Sequence, residues 1–245
     1  MYINTPYNVF VLYLQLFGYC LFYANMYPLI HRVMCYNNRY LTYNDSRRKY
    51  IVKNLLKVLA MIYLVFDTFQ EVKYIFSDLD LNIEMNIFRN WGMIYVANDL
   101  TALIMVDNLP SNTRNHHITS VILLSVLFFF SVKDIYIIKL IVIYTLFSYY
   151  ALLVNLYLAL RFLIKPVENS NDKLQHYFNQ FIDFIRVCAY YNYLISLLTN
   201  WTIHFIIIYK YGVTISVILY LLFLIPIIKD DVILLGWLKS SKLKL

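Results

Sequence analysis

The chain has 245 residues, of which 61% are hydrophobic and 14% charged, and its formal net charge is +7. Soluble domains carry about 45–50% apolar and about 25% charged residues, so this composition excludes an ordinary water-soluble domain and points to a polytopic membrane protein. The basic residues flank apolar runs and build no basic–aromatic module, so anionic lipid at the cytosolic face is the expected charged partner and nucleic acid is not.

Seven apolar segments are predicted as helical spans, at roughly 9–30, 50–72, 91–109, 116–132, 135–164, 180–203 and 206–228. The first reads "VFVLYLQLFGYCLFYANMYPLI". It lacks a basic leader and a small-residue cleavage site, so it is expected to span and not to be removed. The second carries Asp67 and Glu71, an i, i+4 pair with Glu71 near the far boundary.

In the third, "WGMIYVANDLTALIMVDNL", Tyr95 and Asp99 share one helical face, and Asn98 stands beside Asp99. An ionisable group at that depth is expensive, so Asp99 is expected to face a polar cavity or an interhelical hydrogen bond, whereas Asp107 near the end is expected to be solvated. The short stretch "PSNTRN" then makes the third and fourth spans antiparallel neighbours. The fourth opens on the adjacent pair His116 and His117.

The fifth span bears a stripe, Tyr144, Ser148, Ala151 and Asn155, with Arg161 close enough to its end to snorkel. The sixth region bears Arg186, Tyr190, Tyr193, Asn200 and His204, of which Arg186 and Asn200 are the more telling because aromatic stripes are usually packing. The sixth and seventh spans have no clean polar loop between them. Cys20 and Cys188 lie in apolar runs, and with Cys35 they form no CxxC or metal spacing.

Loop charge sets the expected orientation. With the N-terminus lumenal or exterior, the cytosolic loops and tail hold twelve basic residues and the opposite side four. The C-terminus is then cytosolic.

Three roles are open to the histidines. Adjacent residues diverge by about 100° around a helix, so one metal ion is not expected between them, and no metal or other cofactor is expected. A neutral imidazole can serve as general base or nucleophile, because its unperturbed pKa is near 6.5. At the mouth of an apolar cavity it would meet a soluble thioester while the acyl chain enters the bilayer. The third role is an interfacial cap on the helix start.

Tyr95, Asp99, the pair His116–His117 with the following "ITSVILLS", and "LVNLYLALRFL" in the fifth span resemble the TLC domain, the superfamily of ceramide synthases and translocating-chain-associating proteins. The resemblance covers residues 47–228, with 1–46 as an added N-terminal helix and basic loop and 229–245 as a basic cytosolic tail. It implies an all-α membrane protein in which six of about seven helices form a barrel around a lipid-admitting cavity. His116 and His117 inherit the place of the family's acyl-transfer site, Tyr95 and Asp99 match polar positions on the preceding helix, and Asn155 and Arg161 match more loosely.

The synthase signature continues with a serine–tyrosine stretch and a His–Asp pair, which this chain lacks: Val126 follows Ser125, and no histidine occurs between His117 and His176. The small non-synthase TLC proteins are therefore the better match. The function so implied is binding or handling of membrane lipid, a sphingolipid or a fatty acyl chain, in the endoplasmic reticulum or a related membrane. An acyltransferase using acyl-CoA as co-substrate and a translocation-accessory protein are the alternatives. Tyr95, Asp99, Asn155, Arg161 and Arg186 are the expected cavity-lining set, with His116 and His117 as candidate catalytic residues.

Overall fold

A computed structural model describes residues 9–78, 85–129, 135–164 and 173–240, without the side chains of 71–78, 85, 135, 136 and 174. The described residues are all helical apart from short connections. Helix α1 is Val9–Met34, α2 the single turn Asn38–Leu41, α3 Asp45–Asp78, α4 Met85–Met105 and α5 Ser111–Phe129. They are followed by α6 (Ile135–Ser148), α7 (Leu152–Leu160), α8 (Lys173–Tyr211) and α9 (Ile215–Ser240).

Two tight 3-10 turns, Tyr149–Ala151 and Arg161–Leu163, join α6 to α7 and finish α7, so the fifth predicted span is one bent rod. Among the described residues, three helical segments are long and apolar enough to cross a membrane: Val9–Met34, Ile137–Leu163 and Gln175–Tyr211. Helices α3 and α9 carry the buried residues Lys53, Lys57, Asp230 and Asp231, whose charge lowers their apolar content although it faces inward.

The packing runs in a closed circuit. Helix α3 meets α4, α4 meets α5, α5 meets α9, α9 meets α8, and α8 meets both α6 and α7, the latter returning to α3. Helix α1 lies outside this circuit against α3 and α4. The Tyr19 hydroxyl donates to Asn90 Oδ1 at 2.6 Å and that of Tyr23 to the Ile94 carbonyl at 2.9 Å, which fixes α1 on α4. Large apolar side chains point outward all round, among them Phe17 on α1, Phe66 on α3, Ile104 on α4, Phe184 on α8 and Leu222 on α9. A surface this apolar matches hydrocarbon, not water.

The two ends of the circuit are closed differently. Between α4 and α5, Asn108 takes the left-handed backbone region at φ 62°, and the chain reverses within five residues, Val106–Pro110. Asparagine tolerates that region better than other non-glycine residues. Between α8 and α9 the break falls at Gly212, φ 85°, about eight residues after the boundary expected from apolarity. Thr214 Oγ1 then accepts from the Val217 amide at 3.3 Å and starts α9. The expectation of a basic tail from 229 does not hold through 240. That stretch continues α9, and Asp230, Asp231 and Leu238 are buried.

Candidate functional site

The circuit of helices encloses a cavity of about 390 Å³. Its mouth is formed by exposed or partly exposed residues at one end of the circuit, Asn44, Arg47, Asp107, Asn108, Pro110 and Trp237. Its floor includes Tyr95, Asp99, His116, His117 and Tyr144. The wall on α6 and α7 is the predicted stripe itself: Tyr144, Ser148, Ala151 and Asn155 all line the space. A smaller pocket of about 50 Å³ continues beside His116 among apolar residues including Leu124, Leu127, Ile141 and Leu224. It lies where α4 and α5 approach closely, because a Cβ on Gly92 would stand 2.9 Å from Leu124 Cδ1. The cavity is therefore polar above the histidines and apolar beside them.

Asp99 is fully buried at the junction. Its Oδ1 accepts from Lys57 Nζ on α3 at 2.5 Å and lies 3.2 Å from His117 Nδ1 on α5. The Lys57 ammonium also stands over the Tyr95 ring, 4.5 Å from its centroid. The expectation that Asp99 faces the bundle interior and reaches polar groups on other helices thus holds. Next to it, His116 Nδ1 lies 3.3 Å from Asp230 Oδ2, whose other oxygen accepts from Thr113 Oγ1 at 3.3 Å.

Three buried atoms in this cluster have no hydrogen-bond partner: Asp99 Oδ2, His116 Nδ1 and His117 Nδ1. The two imidazole–carboxylate approaches are close enough for charge attraction but are not aligned as hydrogen bonds. Adjacent residues do diverge around the α5 axis, yet their rings meet edge to face with centroids 5.6 Å apart. One nitrogen from each ring and a carboxylate oxygen of Asp99 lie within 4.8 Å of one another. Divergence of backbone positions did not prevent convergence of side chains.

A second cluster faces the same cavity. Asp231 accepts from the Tyr144 hydroxyl at 2.7 Å through Oδ2 and from the Tyr193 hydroxyl at 2.5 Å through Oδ1, so α6, α8 and α9 are tied at one carboxylate. Lys53, one turn before Lys57, donates to Thr101 Oγ1 at 2.9 Å.

The other expected residues divide. Asn155 lines the cavity and donates to Met61 Sδ at 3.4 Å and to the Ala151 carbonyl at 3.0 Å. Arg161 lines the mouth, its guanidinium over the rings of Phe162 and Trp237 at 4.8 and 5.6 Å. Asn200 lines the cavity and its Oδ1 has no partner. Arg186 is not part of the lining. It bonds Asp183 on its own helix and the Leu238 carbonyl, a clamp between α8 and the end of α9. His204 is a core histidine, between the Asn200 carbonyl at 2.9 Å and the Tyr220 hydroxyl at 3.0 Å. Asp107 is exposed beside Lys49, 3.5 Å away. Asp67 accepts from Trp91 Nε1 at 2.5 Å, and the Glu71 side chain lies outside those described.

Sequence reasoning missed Lys57, Asp230 and Asp231. The signal for Lys57 is present in "KNLLK", two lysines at i, i+4 inside an apolar run. The aspartates directly follow "LIPIIK", where a basic residue mimics a span end. The chain matches no protein-family model, no curated protein and no solved structure.

Proposed function

We propose that this is a multi-pass membrane protein of TLC type that draws a lipid chain into its circuit of helices and holds the lipid's polar end at the Asp99–His117 cluster. The observation that carries this reading is the cavity's polarity gradient. It starts among exposed mouth residues, ends on buried, incompletely bonded carboxylate and imidazole groups, and adjoins a pocket lined by Leu124, Leu127 and Leu224. A lipid is the ligand class that is polar at one end and apolar at the other, and pockets that fix such ligands place few polar groups in an apolar lining. Six rods around the space with α1 outside agrees with the arrangement that the TLC resemblance implies. In this reading seven rods cross the membrane, and the mouth, which carries Arg47 and Arg161, faces anionic cytosolic-leaflet lipid. The endoplasmic reticulum or a related internal membrane is the proposed location.

A second reading, acyl transfer, is favoured by the carboxylate that stands against each imidazole. Asp99 beside His117 and Asp230 beside His116 are where an orienting acid for a general base belongs. In this reading the imidazole removes the proton of an amine or alcohol acceptor as it attacks the thioester of an acyl-CoA. The thiol leaves with a proton returned from the imidazolium.

One experiment separates the two: lipid mass analysis of purified protein, wild type beside His116→Ala/His117→Ala. Stoichiometric non-covalent lipid that falls in the variant supports handling. A histidine-dependent acyl adduct, or transfer from acyl-CoA to an added acceptor, supports the enzyme. Lipid-free wild-type protein without transfer activity refutes both. Orientation is tested by cysteine labelling at 31–49, which should react only from the cytosolic side, and by the sequon Asn44–Asp45–Ser46, which should stay unglycosylated.

A further inference from the structure

We propose that Asp99, His116 and His117 form a binding site for a divalent transition-metal ion, with Asp230 as the carboxylate that orients His116. The inference does not depend on lipid handling, because it rests on the donor set alone. Two imidazoles and one carboxylate, with Asp99 and His117 buried and His116 partly so, offer ligand atoms within 4.8 Å of one another. Within the cluster, Asp99 Oδ2 and His117 Nδ1 have no hydrogen-bond partner, and neither has His116 Nδ1, which lies beside Asp230. Buried polar atoms are nearly always paired, and an ion between the three side chains gives Asp99 Oδ2 and His117 Nδ1 a shared partner.

The geometry is close to what an ion would impose. Metal–nitrogen and metal–oxygen bonds of about 2.0–2.1 Å in a tetrahedron place neighbouring ligand atoms about 3.3 Å apart. The nearer Asp99 oxygen, Oδ1, is already 3.2 Å from His117 Nδ1, and Oδ2 of the same carboxylate is the oxygen left for the ion. Helices α4 and α5 already pack against each other, so the three ligands come from two neighbouring rods.

Charge also favours it. Lys57 occupies Asp99 Oδ1 and leaves Oδ2 free, so the carboxylate can serve both cations at once. Asp230, 3.3 Å from His116 Nδ1, supplies a second negative group beside the ion. A ligating histidine commonly turns its other ring nitrogen to such a carboxylate, so His116 binds the ion through Nε2 with Nδ1 towards Asp230, which fixes the ring and raises its basicity. Imidazole with carboxylate suits zinc, iron or copper more than magnesium or calcium. Three protein ligands leave at least one coordination position open, and here it faces the cavity, where a water or a ligand oxygen would complete the shell.

The test uses the full chain purified in detergent without chelator, with Zn2+ and Co2+ as probes. Wild-type protein is expected to retain about one equivalent of metal, to lose it to a strong chelator and to regain it from micromolar Zn2+. Co2+-loaded protein is expected to show visible d–d absorption, with X-ray absorption reporting two imidazoles in the shell. His117→Gln and Asp99→Asn should abolish the signal, and Asp230→Asn should weaken affinity by about 10–100-fold. The wild-type spectroscopy needs no variant, so it stands even where a variant fails to fold. Binding below a tenth of an equivalent at micromolar Zn2+ overturns the proposal and leaves a pair of histidine–aspartate contacts only. So does metal whose shell lacks imidazole, or metal that persists unchanged in a folded His117→Gln protein.

Discussion

Asp99 and Asp231 are both buried carboxylates lining one cavity, yet they are treated in opposite ways. Asp231 has a tyrosine hydroxyl on each oxygen, from Tyr144 and Tyr193. Asp99 has Lys57 on one oxygen and nothing on the other, with a misaligned imidazole beside it. The difference separates two kinds of buried polar group. A carboxylate whose valences are filled by its own fold is a tie between helices, here α6, α8 and α9. A carboxylate left with an open valence among other open valences is, in the proposed reading, the one that meets a ligand.

Stability measurements in detergent test that distinction most strongly at Lys57. Removing one partner of a buried ion pair leaves the other charge uncompensated, so Lys57→Met should lower unfolding free energy by about 3–5 kcal/mol. Lys57→Met/Asp99→Leu should recover most of that loss, because no orphan charge then remains. If the double variant is as unstable as the single, the pair is not the unit of stability described here.

A smaller effect is expected at the tie. Asp231→Ala removes two hydrogen bonds to a charged acceptor and should destabilise by about 3 kcal/mol, with Tyr193→Phe at about 1.5–3 kcal/mol. Equal and near-zero values for both would show that the α6–α8–α9 junction is held by packing alone.

The histidines should behave in the reverse sense. His117→Gln removes a buried ring whose Nδ1 has no partner, so its stability change should stay within about 1 kcal/mol while retained lipid or transfer activity is lost. A large loss of stability at unchanged lipid content would make His117 structural and erase the contrast with Asp231. The smallest change is expected at Asp107→Leu, within about 0.5 kcal/mol and without effect on lipid content, because that carboxylate is exposed beside Lys49.

Helix, apolarity and the inward face of Asp99 were legible before any fold was known. Each follows from local rules: an apolar run of span length must bond its own backbone, and a carboxylate at mid-depth must avoid hydrocarbon. The stripe on α6 and α7 was legible for the same reason, since helical spacing puts Tyr144, Ser148, Ala151 and Asn155 on one face without outside information. Arg186 shows the limit of that method. Its spacing fits the polar face of α8, but its height along the helix puts it beside the end of α9, where it bonds the Leu238 carbonyl instead of entering the cavity.

What the linear chain determined by itself is therefore which residues must be helical and that a carboxylate at mid-span, such as Asp99, must hide. Which polar residues meet was decided only by tertiary structure. Lys57 and Asp99 are 42 positions apart, and Tyr144 and Asp231 are 87 apart. A helical repeat relates neighbours three or four residues away and is silent about which face of which rod comes next in the circuit. The middle of α9 makes the point physically. Lys229 and the two aspartates after it look like the wet end of a span, because charge in hydrocarbon is costly. Packing of α9 against α5 and α8 gave Asp230 an imidazole and Asp231 two hydroxyls, and these partners keep both aspartates buried.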